Sequence, residues 1–188
     1  VGSDPKDPQS YHKVIGSYPM GGQGEWVNLD ATLTPDFTQL VVTQSNARDV
    51  ASGNQGNGRV AIFDLERLRD RALGIADPSD SGDPLVAEFG SRDNGNGTFL
   101  RNPRGLQTRF GVDDGLARIV VLDNNYGYRA DNYAGQIIVF KRDAAGSWTR
   151  ESATYFAFPP SADMDAVEDP FTVADPVDVV FSRDGRLA

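Results

Sequence analysis

Short runs of β-branched and aromatic residues alternate along this chain with clusters of Gly, Pro, Asn and Asp, the pattern of a mostly β protein with many turns. The runs predict strands over 13–18, 28–33, 39–43, 59–64, 85–89, 105–110, 117–122, 136–141, 152–158 and 176–181. One stretch, Leu65–Leu73, sets Leu65, Leu68 and Ala72 at helical spacing among good helix formers, and predicts a helix of about two turns packed on a strand edge.

Part of the pattern is written twice. Leu40-Val41-Val42-Thr43 leads through a polar loop to Gly58-Arg59-Val60-Ala61-Ile62-Phe63-Asp64, and Ile119-Val120-Val121-Leu122 leads through a similar loop to Gly135-Gln136-Ile137-Ile138-Val139-Phe140-Lys141. An Asp-containing turn precedes each copy, at Asp36 and Asp114, and a third such turn stands at Asp184-Gly185. Asp-Gly supplies the backbone angles of a tight hairpin; Phe37 and Thr38 replace the glycine in the first copy, which makes that turn the weaker prediction. The intervals between these aspartates exceed the ~40–50 residues of compact propeller repeats, with the excess in loops.

Each copy supplies four strands, and four antiparallel strands per repeat is the make-up of a β-propeller blade. The expected fold is therefore all-β, with propeller blades of four antiparallel strands, an incomplete ring and one short helical insertion. It forms a single segment over 1–188, with repeats at about 28–90 and 105–158 and partial blades at both ends.

Composition narrows the classes. The 188 residues, 39% hydrophobic, suffice for one domain with a sizeable core. No stretch approaches the ~20 apolar residues of a membrane-spanning helix. With 18 basic and 27 acidic residues the net charge is −9, which repels nucleic acid and anionic lipid. The absence of cysteine removes disulfides, thiolate nucleophiles and thiolate metal sites together. The chain begins at Val1 with a polar, proline-bearing run, read as a trimmed N-terminus, and the expected location is extracellular or periplasmic.

Three segments carry a family resemblance: Asn102-Pro103-Arg104-Gly105-Leu106, the hairpin from Ile138 through Asp143-Ala144-Ala145-Gly146-Ser147-Trp148-Thr149, and the run from Val177 through Phe181-Ser182-Arg183-Asp184-Gly185-Arg186 to Ala188. They resemble blades of the lactonase-type, YVTN-repeat propellers. That resemblance implies architecture more than activity, since such blades serve enzymes, binders and scaffolds alike. A closed ring of this type needs roughly six to eight blades, whereas about two and a half are present here. The expectation is a fragment of a longer protein or a ring completed by other subunits.

Candidate chemistry falls in the two long polar loops between second and third strands, which propeller geometry would place on one face. The first loop contributes Asn46, Arg48 and Asp49; the second contributes Asp123, Asn124, Asn125, Tyr126, Tyr128, Arg129, Asp131 and Tyr133. Each begins with an amide-rich step and carries an Arg near an Asp, while the tyrosines could stack on sugar rings or hold a partner protein. The competing reading is that Asn, Asp and Gly serve turn formation and the tyrosines pack on a neighbouring blade.

Other signals are thin. Turns at Asp77–Asp83 and Asp93–Thr98 offer oxygen ligands that calcium would accept, but the position where an EF-hand needs Glu is Arg104. No cofactor is expected, with calcium the one alternative. His12 is the single histidine and no nucleophile elbow accompanies it, and Gly21-Gly22-Gln23-Gly24 lacks the Lys-Ser/Thr of a phosphate loop. The sequence thus points to a non-catalytic binding or scaffold module that contacts other protein subunits, the remaining blades or a glycan. The alternative is a fragment of a lactonase-like propeller hydrolase.

Overall fold

The structure, a computed structural model, describes residues 16–20, 26–46, 57–75, 82–90, 100–111, 113–124, 133–157 and 178–179, with backbone alone at 133–134 and 155–157. Among the described residues, eight strands and one helix follow in the order β1 (Trp26–Leu33), β2 (Gln39–Asn46), β3 (Gly58–Asp64), α1 (Leu65–Leu73), β4 (Leu85–Phe89), β5 (Pro103–Phe110), β6 (Ala117–Asn124), β7 (Tyr133–Arg142) and β8 (Trp148–Ala157). They build two four-stranded antiparallel sheets, β1-β2-β3-β4 (sheet I) and β5-β6-β7-β8 (sheet II), each in sequential order.

Every predicted strand from 28–33 to 152–158 is found, several of them longer than the hydrophobic run that signalled them. Of the predicted strand 13–18, only residues 16–18 are described, and they are not strand; nor are 178 and 179, the described part of 176–181. The helix also differs from expectation in its seat. Leu68 packs with Leu40, Val42, Ala61, Phe63 and Leu85, so α1 covers a face of sheet I rather than an edge. Asp64 caps its start by accepting from Arg67 N at 2.9 Å, and Gly74 ends it at φ 69°.

The turns at Asp36 and Asp114 are hairpins as expected, and the third, at Asp184-Gly185, lies outside the described residues. Asp36 accepts from Thr34 Oγ1 (2.6 Å), Thr38 N (3.1 Å) and Thr38 Oγ1 (2.8 Å), closing the β1–β2 turn with Phe37 forced to φ 58°. In sheet II the left-handed position is filled by Gly115 at φ 65°, and the β7–β8 hairpin closes on Asp143 and Gly146.

The two sheets share details of register. Val41 lies opposite Thr32 and Ile62, and Val120 lies opposite Gln107 and Val139 in the same place of the second register. A β-bulge falls between Asn28 and Asp30 in β1 and between Pro103 and Gly105 in β5; a second recurs at Ile62/Phe63 and Val139/Phe140. Bulges reset the side-chain alternation and twist the strand, so a shared bulge site gives the two sheets the same local twist.

The two sheets stack face to face. Val41, Val60, Ile62 and Phe89 of sheet I form one core with Leu106, Ile119, Val121, Ile138, Phe140 and Trp148 of sheet II. Phe89 stands 4.5 Å from Phe140, centroid to centroid. Val41 faces this core, whereas its counterpart Val120 faces the other way, into a cluster with Leu122 and Val179. The forward face of sheet I therefore meets the rear face of sheet II. The rear face of sheet I is covered by α1, Tyr18 and Met20.

Candidate functional site

Adjacent strands of an antiparallel sheet reverse at opposite ends, so each sheet has a turn end, carrying the β1–β2 or β5–β6 hairpin, and a loop end, where β2 leads to β3 and β6 to β7. At the loop end the connection between the sheets is pinned on both sides. Gly58 N donates to Leu100 O (2.8 Å) and Leu100 N to Gly90 O (2.9 Å), tying it to sheet I, while Asn124 N donates to Asn102 O (3.0 Å), tying it to sheet II.

Of the predicted site residues, Arg48, Asp49, Asn125, Tyr126, Tyr128, Arg129 and Asp131 lie outside the described residues, and Tyr133 is described through its backbone in β7. The remaining three sit on strands, not in loops. The ladder runs on through polar residues to Asn46, whose N–H donates to Asn57 O at 2.8 Å, and to Asn124. Polarity had suggested loop, but backbone pairing does not depend on side-chain character.

Asp123 is buried at the junction. Its carboxylate accepts from Arg101 N (3.0 and 3.2 Å), Asn102 N (2.8 Å) and Gln136 Nε2 (2.9 Å). Burial pushes its carboxyl up to about 6, against the pull of those donors and of the buried Arg101. Asn124 is likewise buried. Both hold the loop's stem.

Sheet I has a matching arrangement, which sequence reading missed. Gln44, the counterpart of Asp123, donates through Nε2 to Met20 O (2.9 Å) and Asn28 Oδ1 (2.7 Å) and accepts from Arg59 Nε (2.6 Å). Arg59 also pairs with Glu88 and lies 4.2 Å above the Trp26 ring. The signal in the sequence was the register itself: Gln44 opposite Arg59 and Asp123 opposite Gln136, two equivalent cross-strand polar pairs. Ser45 Oγ, buried beside them, has no hydrogen-bond partner among the described residues.

The core is thus graded. Valine, isoleucine and phenylalanine fill it toward the turns, while Gln44, Ser45, Asn57, Arg101, Asp123, Asn124 and Gln136 are buried toward the loops. Among the described residues, two open cavities lie at the turn end. One of about 660 Å³ is lined by Phe37, Thr38, Asp64, Leu65, Glu66 and Arg69. The other, about 410 Å³, lies among Asp36, Phe110, Leu116, Arg142 and Asp143. Between them Phe37 is 71% exposed and Phe110 49%.

A charged knot ties β8 to the β5–β6 turn. Arg118 donates to Asp114 (2.8 and 3.0 Å) and to Glu151 (2.7 and 2.7 Å), and Lys141 Nζ lies 2.7 Å from Asp114. These partners hold the Asp114 and Glu151 carboxyls below their ordinary values. Among the described residues no group of three or more His, Asp or Glu is placed to hold a metal ion, and no helix is long and apolar enough to cross a membrane.

The sequence matches no family model, and neither a curated protein nor a solved structure is significantly similar to it.

Proposed function

We propose that the chain is a segment of a β-propeller whose loop end is a non-catalytic binding surface for a protein subunit or a glycan. The observation that carries this reading is the repeated polar pair beneath each loop. Gln44–Arg59 and Asp123–Gln136 occupy one register and fasten the stems of both long loops. Burying polar groups costs free energy unless each is hydrogen-bonded, so two satisfied pairs at the same place support a purpose that an apolar core would not serve. Paired stems present the loops, and the second loop carries Tyr126, Tyr128, Arg129 and Asp131, residue types suited to stacking on sugar rings and to polar recognition. The propeller part of the reading draws on the four-stranded sequential sheets and their head-to-tail stacking.

The test is a glycan-array and protein-partner screen with the full gene product, followed by the triple variant Tyr126→Ala, Tyr128→Ala, Arg129→Ala. The expected result is at least about a tenfold loss of affinity for the partner found, equivalent to about 1.4 kcal/mol, with an unchanged melting temperature. Binding that survives the triple variant overturns the assignment, and lactone hydrolysis above the buffer rate by the same protein favours the hydrolase alternative.

A further inference from the structure

The forward faces of the two sheets have equivalent residues but unequal cover. Val60 and Ile62 on the forward face of sheet I are fully buried under sheet II. Their counterparts on sheet II, Ile137 and Val139, are only partly buried, although Val120 and Leu122 beside them are closed off by Val179.

Residues 178 and 179 stand where β5 stands in the first step. Asp30 of β1 reaches across to Leu106 of β5, its Oδ2 accepting from Leu106 N at 2.8 Å. Gly105 of β5, the counterpart of Asp30, lies so close to the next segment that an added Cβ would fall 2.8 Å from both Asp178 Cα and Val179 N. Asp178 in turn repeats the local geometry of Asp30: each carboxylate caps the following N–H, Ala31 N at 2.8 Å and Val179 N at 2.7 Å. The sequence agrees, since Asp30 precedes Asp36 by the same interval as Asp178 precedes Asp184.

We infer that the forward face of sheet II, centred on Ile137 and Val139, is the docking surface for a third four-stranded β-sheet of the same polypeptide, entered through Asp178 and Val179. The inference rests on the head-to-tail stacking in the function proposed above and is independent of what the loops bind. Heterologous stacking has no built-in stop: a forward face that meets a rear face leaves another forward face to be covered. Asp178 then offers its second carboxylate oxygen to a main-chain N–H of the layer after it, as Asp30 does to Leu106. The strand that donates this N–H carries Gly at the place of Gly105, because an Asp there would cap the N–H itself, as it does at Ala31 and Val179.

The 188 residues hold no cysteine, so a single introduced thiol reports cleanly there, and in the full gene product its labelling is read against the product without it. Ile137→Cys and Val139→Cys are labelled with a soluble thiol reagent in the 188-residue chain and in the full gene product, with Val86→Cys as the exposed control. In the full product, labelling at 137 and 139 is expected to be at least about tenfold slower than at 86, while the 188-residue chain labels all three comparably. Equal labelling in the two proteins overturns the proposal, as does a gene product that ends at Ala188. Protection already present in the 188-residue chain means that a second copy covers the face, and overturns it too. Asp178→Ala is expected to lower the melting temperature of the full product by about 2–4 °C more than that of the 188-residue chain, where only the Val179 cap is lost. A shift of the same size in both reduces Asp178 to a cap for Val179, and no shift in either removes the clamp. Loop-end binding that persists in Asp178→Ala shows that the two proposals stand or fall separately.

Discussion

Asp30 and Leu106 join the two sheets through one hydrogen bond, Leu106 N donating to Asp30 Oδ2 at 2.8 Å. The bond exists because Gly105, at the bulge of β5, has no side chain to cap the Leu106 N–H, whereas Asp30 at the matching bulge of β1 does have one to spare. Thr108 Oγ1 donates to Leu33 O further along the same pair of strands. Replacing Asp30 with Ala leaves a half-buried N–H without its partner. The expected loss is about 1–3 kcal/mol of stability in urea unfolding at pH 7, with Asp30→Asn retaining part of it. An Asp30→Ala protein as stable as the parent would mean that the apolar core alone sets the stacking.

Gly105→Ala tests the second step of the stack. A methyl group at 105 would meet backbone atoms of Asp178 and Val179 at 2.8 Å, and backbone cannot swing aside as a side chain can. The variant is expected to lose about 1–3 kcal/mol and to expose Val120 and Leu122, with faster amide exchange at Val179. Unchanged exchange there would show that the 178–179 segment is not held against β5.

Asp123 gives the fold an unusual response to acid. Its carboxyl is raised from 3.8 to about 6 in the folded chain, so the folded state binds a proton more tightly than the unfolded state does. Stability therefore rises as pH falls from about 6 toward 4, by an amount on the order of a few kcal/mol. Asp114 and Glu151 act in the opposite sense: their lowered values contribute stability above the unfolded carboxylate range and lose it as pH falls below about 4. The midpoint of urea unfolding should accordingly peak between about pH 4 and 5. Asp123→Asn keeps an acceptor for Arg101 N and Asn102 N and should flatten the limb between pH 4 and 6; a limb that survives the substitution assigns it to another group.

Arg118→Lys separates charge from geometry in the charged knot. The guanidinium fork serves two carboxylates at once, Asp114 and Glu151, and an ammonium cannot match both. Because those carboxylates are open to solvent, the effect should be modest, a lowering of the melting temperature by a few degrees at low ionic strength. It should shrink in about 1 M salt, where screening extends over only ~3 Å. A salt-independent loss would point to packing of the covered Arg118 stem.

These relationships show what the sequence could and could not reveal. The apolar runs around Val41, Val60, Ile119 and Ile138 located the strands because burial demands apolar side chains at a period of two. The same logic ended β2 and β6 too early, since Gln44, Ser45, Asp123 and Asn124 look like loop residues and are instead paired and buried. Their burial depends on partners distant in sequence, Arg59 and Gln136 across the strand and Arg101 and Asn102 from the crossover. Head-to-tail stacking was hidden for a related reason. Val41 and Val120 read identically as residues, and only the assembled sheets show that one faces inward to its neighbour and the other outward.

Phe37 breaks a local rule without visible return. It holds φ 58° in the β1–β2 turn, a conformation that costs a non-glycine residue roughly 1–2 kcal/mol, and its ring is 71% exposed. Glycine meets the same need at Gly115. Phe37→Gly is therefore expected to stabilise the isolated chain by a few tenths of a kcal/mol to about 1 kcal/mol, the relief of strain being partly offset by the greater freedom of glycine in the unfolded state. The ring also lines the larger turn-end cavity beside Leu65 and Arg69. If Phe37→Gly is stabilising in the 188-residue chain but destabilising in the full gene product, the ring is held in its strained position for a surface that covers the turn end. A destabilising effect in both would show instead that Phe37 packs against α1 more firmly than its exposure suggests.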